Sequence, residues 1–167
     1  MVAQSGDVEV SGSIDLASGN GASSWVIDGG SLSWGGTLMA GGPSQRVEFT
    51  VRSAGAAVAG GACAFGAGAS IGFVLESGGV SPIVCHGGAS LAADIAQFRV
   101  DGSAFATGEG RLPLVAGGAL SNAFDLSRAV VTGFDTNEYE VRVIEDGGRI
   151  VLDIDRRDPD PGARARA

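Results

Sequence analysis

The sequence predicts an all-β fold, an antiparallel β-sandwich or jelly roll of about nine to twelve short strands with little helix. Three observations carry this expectation. Glycine supplies 29 of 167 residues, but with no three-residue period and only five prolines, which excludes a collagen-like chain. Apolar and polar residues alternate over several short runs. Turn-forming clusters separate these runs about every eight to twelve residues. No fixed-period repeat stands out, which ranks a solenoid below the sandwich. The length suits one domain, residues 1–155, followed by a mobile charged tail, residues 156–167.

The first strand spans residues 7–16. Val8, Val10, Gly12, Ile14 and Leu16 share one face, and Asp7, Glu9, Ser11, Ser13 and Asp15 share the other. Next, Trp25-Val26-Ile27 and Leu32-Ser33-Trp34 flank Asp28-Gly29-Gly30-Ser31, the composition of a hairpin turn. The two tryptophans are expected in or near the core. Residues 46–52 form a strand with Val47, Phe49 and Val51 inward and Arg46, Glu48, Thr50 and Arg52 outward. Short strands are expected at residues 62–65, 70–75 and 82–85, the last at an edge because Pro82 lacks an N–H. Residues 91–100 read as strand in competition with a short helix. Residues 103–107 and 111–115 bracket a glycine turn. A helical turn is expected within residues 120–128, capped by Ser121 or Asn122. Strand-like residues 129–134 follow. The best-patterned hairpin closes the domain, with Tyr139, Val141 and Val143 before Glu145-Asp146-Gly147-Gly148 and Ile150, Leu152 and Ile154 after it.

The formal net charge of −8 argues against nucleic acid as a partner, since phosphate binding needs a basic surface. All eleven basic residues are arginine. The N-terminal residues show neither a basic region nor an apolar run, so no signal peptide is expected.

Residues 53–93 stand apart. This stretch carries one formal charge, Glu76, yet contains both cysteines, Cys63 and Cys85, and the only histidine, His86. Residues 53–75 could span a bilayer by length, but eight alanines and six glycines make them too weakly apolar for a membrane helix. The stretch is expected to be buried between subunits, with Phe65, Ile71, Phe73, Leu75, Ile83 and His86 as candidate interface residues.

No catalytic, metal or cofactor site emerges. Gly68-Ala69-Ser70-Ile71-Gly72 fits the G-x-S-x-G pattern of a nucleophile elbow, but no helix-forming sequence follows Ser70. Cys63, Cys85 and His86 offer three soft or borderline ligands without zinc spacing. A Cys63–Cys85 disulfide and two buried thiols remain alternatives. The acidic groups around Asp135 and Asp153 lack the spacing of a calcium loop.

Two pieces, Gly30-Ser31-Leu32-Ser33-Trp34-Gly35 and His86-Gly87-Gly88-Ala89, resemble segments of actinobacterial haem-binding domains. That resemblance implies a haem-ligating tyrosine near the Trp-Gly pair. The only tyrosine here, Tyr139, lies in the C-terminal hairpin, so no cofactor is assigned. The functional expectation is a non-enzymatic structural protein that assembles with its own copies or other subunits, in a virion or extracellular assembly. The alternative is a secreted sandwich module that binds a small ligand such as haem or a carbohydrate.

Overall fold

The computed structural model describes residues 2–4, 6–52, 55–77 and 81–158. The described residues are all β apart from one 3₁₀ turn at Leu126–Arg128, but they form neither a sandwich nor a jelly roll. The chain winds as a parallel β-solenoid, with three strands per coil contributing in turn to three sheets.

Sheet A stacks β1 (Val2–Gln4), β4 (Gly21–Asp28), β7 (Gln45–Arg52), β10 (Ala69–Val74), β13 (Gln97–Asp101) and β16 (Val130–Thr132), all parallel. Sheet B stacks β2 (Asp7–Val10), β5 (Ser31–Trp34), β8 (Ala56–Ala59), β11 (Ile83–Cys85) and β14 (Gly110–Gly117). Sheet C stacks β3 (Ile14–Leu16), β6 (Leu38–Ala40), β9 (Cys63–Phe65), β12 (Ala89–Leu91) and β15 (Leu120–Asn122). Sheet B is then closed by an antiparallel hairpin, β17 (Tyr139–Asp146) and β18 (Arg149–Arg156), with β18 paired to β14. Gly147 and Gly148, both at positive φ, make the two-residue turn that the sequence signals.

The alternation that suggests a sandwich serves a solenoid equally well. Inward residues form ladders along the axis, such as Trp25, Phe49, Ile71 and Phe98 in sheet A and Leu32, Ala57, Ile83 and Val115 in sheet B. The core is closed by edge-on aromatic contacts of Phe49 with Trp34 and with Phe65, each at 6.5 Å between ring centroids. Trp34 is thus buried, and Trp25 is half-buried against the same core.

The expected strand over residues 7–16 is two strands, β2 and β3, separated by a corner at residues 11–13. Three corner residues keep the parity of the alternation, so both strands point the same residue set inward. The expected hairpin around Gly29 and Gly30 is likewise a corner, taking the chain from sheet A to sheet B without reversing the pairing. Residues 120–128 hold β15 and the 3₁₀ turn, which Asp125 caps by accepting from Ser127 N–H at 3.0 Å. The Asn122 side chain instead accepts from Phe124 N–H.

A repeat exists, but its period drifts. In sheet C, Ile14 pairs with Leu38, Leu38 with Cys63, Cys63 with Ala89 and Ala89 with Leu120, giving steps of 24, 25, 26 and 31 residues. The last and largest step comes mainly from sheet B, where β14 has eight residues against three in β11.

Glycine abundance follows from the B-to-C corner. There Gly60-Gly61 stacks directly on Gly35-Gly36, and Gly87 in turn rests on Gly61. A Cβ at Gly60 would lie 2.7 Å from the Gly35 carbonyl oxygen, and one at Gly61 2.6 Å from that of Gly36. Backbone rests on backbone at this corner, and a side chain would pry the coils apart.

Residues 53–93 form the middle coils of this stack. Ser53, Ala54 and residues 78–80 lie outside the described residues, as does the greater part of the expected tail, residues 159–167. Of the residues expected in the tail, Arg156 belongs to β18 and its guanidinium meets Glu138 at 3.0 Å.

Candidate functional site

The candidate interface residues do not form a surface. Phe65, Ile71, Phe73, Leu75 and Ile83 all point into the interior and are at most 1% exposed within the single chain. Neighbouring coils above and below cover them, which removes the need for a partner to do so. Only His86 is exposed, on the B-to-C corner.

Cys63 on β9 and Cys85 on β11 are joined as a disulfide inside the solenoid, with 5.9 Å between their Cα atoms. Both are buried. The bond ties sheet C of one coil to sheet B of the next, so neither sulfur is a metal ligand. Among the described residues no group of three His, Cys, Asp or Glu side chains could hold a metal ion. Ser70 of the G-x-S-x-G match sits in mid-strand on β10, facing out from sheet A, and His86 belongs to a different corner. Asp135 accepts from Asn137 N–H, an ordinary turn contact. The pieces that resemble haem-binding segments are corner segments of the repeat, with Trp34 buried.

The outer surfaces of the three sheets differ sharply. On sheets B and C, coils two to four present Ser33, Val58 and Val84, and Met39, Ala64 and Ser90, respectively. No charged side chain interrupts these strands. Among the described residues Met39 is one of two large apolar side chains left exposed, at 47%; the other, Val130, is on sheet A.

Sheet A carries the charge. Arg46, Arg52 and Arg99, the only basic residues before Arg111, all face outward from it. Glu48 on β7 pairs with Arg99 on β13, and Arg52 lies 3.9 Å from Asp28. Asp101 accepts from the Ser103 hydroxyl at 2.6 Å and its backbone N–H at 2.9 Å, which holds its carboxyl below the usual aspartate range.

Two adjoining hollows open on this face. One, of about 880 Å³, is lined by Ser24, Ser44, Arg46, Glu48 and Ser70, among others. The other, of about 560 Å³, is lined by Glu48, Thr50, Arg52, Gly72, Gln97 and Arg99, among others. The floor is β10, where the outward residues are Ser70, Gly72 and Val74, and the walls are β7 and β13. Sequence reasoning places Arg46, Glu48, Thr50 and Arg52 outward. It misses that parallel stacking sets Arg99 two strands away on the same face.

A separate ionic group braces the cap. Asp153 on β18 is only 4% exposed and accepts from Arg111 at 2.9 Å and Arg142 at 3.0 Å. The Arg111 hydrogen bond, reinforced by Arg142, lowers the pKa of its carboxyl.

No protein-family model matches this sequence, and comparisons with curated proteins and with solved structures gave no match. Among the described residues no helix is long and apolar enough to cross a membrane.

Proposed function

We propose that this protein is a non-enzymatic structural solenoid that assembles through the outer surfaces of sheets B and C. One observation carries the reading: two adjacent sheets present uncharged side chains, mostly small apart from Met39, across coils two to four, while the third carries charge over the same coils. A solenoid needs apolar residues inside, but nothing in its interior demands an uncharged exterior. Small side chains permit close approach of two flat surfaces, and the absence of charge avoids a desolvation cost on contact. Partners are further copies of the chain or other structural subunits. A particle built from repeated subunits, such as a virion, is the setting that suits this use.

Light scattering across micromolar concentrations tests the proposal. The parent chain is expected to run as an oligomer, and a double variant, Ala64→Arg with Val84→Arg, as a monomer of unchanged circular dichroism. A parent chain that is monomeric throughout, alone and with candidate subunits, would remove the reading.

A further inference from the structure

We propose that the outer surface of sheet A is a binding groove for an acidic oligosaccharide, strapped in its empty state by the Arg99–Glu48 ion pair. This goes beyond the assembly reading and concerns the opposite side of the solenoid.

The strap follows from topology. Glu48 stands on β7 and Arg99 on β13, and β10 lies between them. Two strand spacings, about 9–10 Å, must therefore be bridged across the face of β10. Only small residues lie beneath: Ser70 is in register between Glu48 and Gln97, and Gly72 between Thr50 and Arg99. Any larger side chain at residue 72 would occupy the path, and even a Cβ there would approach Thr50 Oγ1 at 3.1 Å. The two hollows lie to either side of the pair and share Glu48. Swinging Glu48 aside joins them into one groove along the strand direction.

The lining defines the ligand by chemistry. A carboxylate can replace Glu48 on the Arg99 guanidinium, and Arg46 makes no ion pair among the described residues. Between these cations, Thr50, Ser70 and Gln97 offer hydroxyl and amide partners suited to a hydroxyl-rich chain. A peptide strand is a poorer fit: β7, β10 and β13 are each paired on both sides, so their backbones offer no free edge. A nucleic acid is a poorer fit because the face offers no exposed aromatic on which a base could stack, Phe73 being buried. Val26, Val74 and Val130 give the hollow an apolar margin, which suits the C–H face of a sugar ring, while the charged pair at its centre opposes a wholly apolar ligand.

The test is calorimetric titration of the full chain with galacturonic acid oligomers, beside neutral galactose oligomers of the same length. The acidic oligomers are expected to bind at least about tenfold more tightly than the neutral ones. Arg99→Gln and Arg46→Gln should each weaken that binding several-fold. Glu48→Gln should strengthen it, because the ligand no longer competes with a resident carboxylate. All three side chains are exposed or half-exposed, so the variants are expected to fold, and circular dichroism checks this. Absence of binding at millimolar oligomer would overturn the proposal. So would equal affinity for the neutral series, or weakened or unchanged binding in Glu48→Gln. Equal binding of oligothymidylate or polyglutamate with the same arginine dependence would assign a general anion surface instead, and would also overturn it.

Discussion

Strands β10 and β11 follow one another in the same coil, both bury their inner side chains, and differ most on their outer sides. Inside, β10 contributes Ile71 and Phe73 and β11 contributes Ile83 and Cys85, all buried. Outside, β10 lies beneath an ion pair at the floor of a polar groove, while β11 shows Val84 to solvent amid other small residues. The interior rule is the same for both strands, so it cannot account for the contrast between their exteriors. Charge on sheet A and its absence from coils two to four of sheets B and C are therefore not demands of folding. They are the part of this molecule left for use.

The contrast can be broken from the inside. The largest effect is expected at the B-to-C corner. Gly61→Val places a side chain 2.6 Å from the Gly36 carbonyl oxygen. Neither backbone can yield without separating coils, so a loss of at least about 3 kcal/mol in denaturant midpoint analysis is expected. The same substitution at Gly12, with nothing within 4 Å of its Cβ, should cost far less.

Removing the disulfide by Cys63→Ser with Cys85→Ser comes next. Its 22-residue separation corresponds to about 3 kcal/mol on loop-entropy grounds. The bond is buried, so dithiothreitol alone should leave it intact, and reductant with denaturant should release two thiols in a thiol assay.

The Asp153 brace is a smaller contribution. Asp153→Asn should cost about 1–3 kcal/mol, because two charge-assisted hydrogen bonds weaken. Its folded pKa lies below 3.8, so the contribution is present above that value and is lost as pH falls through the lowered folded pKa. An acid titration of parent and variant should converge below pH 3.8, and parallel curves would discount the brace.

The smallest effect on stability is expected on the bare sheets. Val84→Lys faces outward and should stay within about 0.5 kcal/mol of the parent. If it destabilises more than Gly61→Val, the division between inner and outer rules fails.

Much of the strand content was legible in the sequence, because alternation marks which residues point inward whatever the topology. The connectivity was not. Val8, Val10, Gly12, Ile14 and Leu16 alternate without a break across a corner, and Gly29-Gly30 has the composition of a hairpin turn. A coil that lengthens from 24 to 31 residues also conceals its own period. The missed signal was the recurring glycine pair at 35–36, 60–61, 87–88 and 117–118, each followed within two residues by a strand of sheet C. For the groove, the outward set on β7 was readable, but Arg99 joins it only through pairing over 51 residues of sequence. The uncharged central stretch was read as surplus surface because a sandwich needs fewer buried strands than a stacked coil does.

The closing hairpin has a consequence for how the chain acquires its shape. The parallel pairings join residues 22 or more positions apart, whereas β17 and β18 meet across a two-residue turn. Loop closure is least costly there, so this C-terminal element is the natural nucleus from which coils add in reverse order. Synthesis delivers that nucleus last. Nascent chains halted before residue 139 should remain protease-sensitive, and released full-length chains should gain protection from the C-terminal coils first in pulsed hydrogen exchange. Earliest protection in β4 and β7 would instead place the nucleus at the other end.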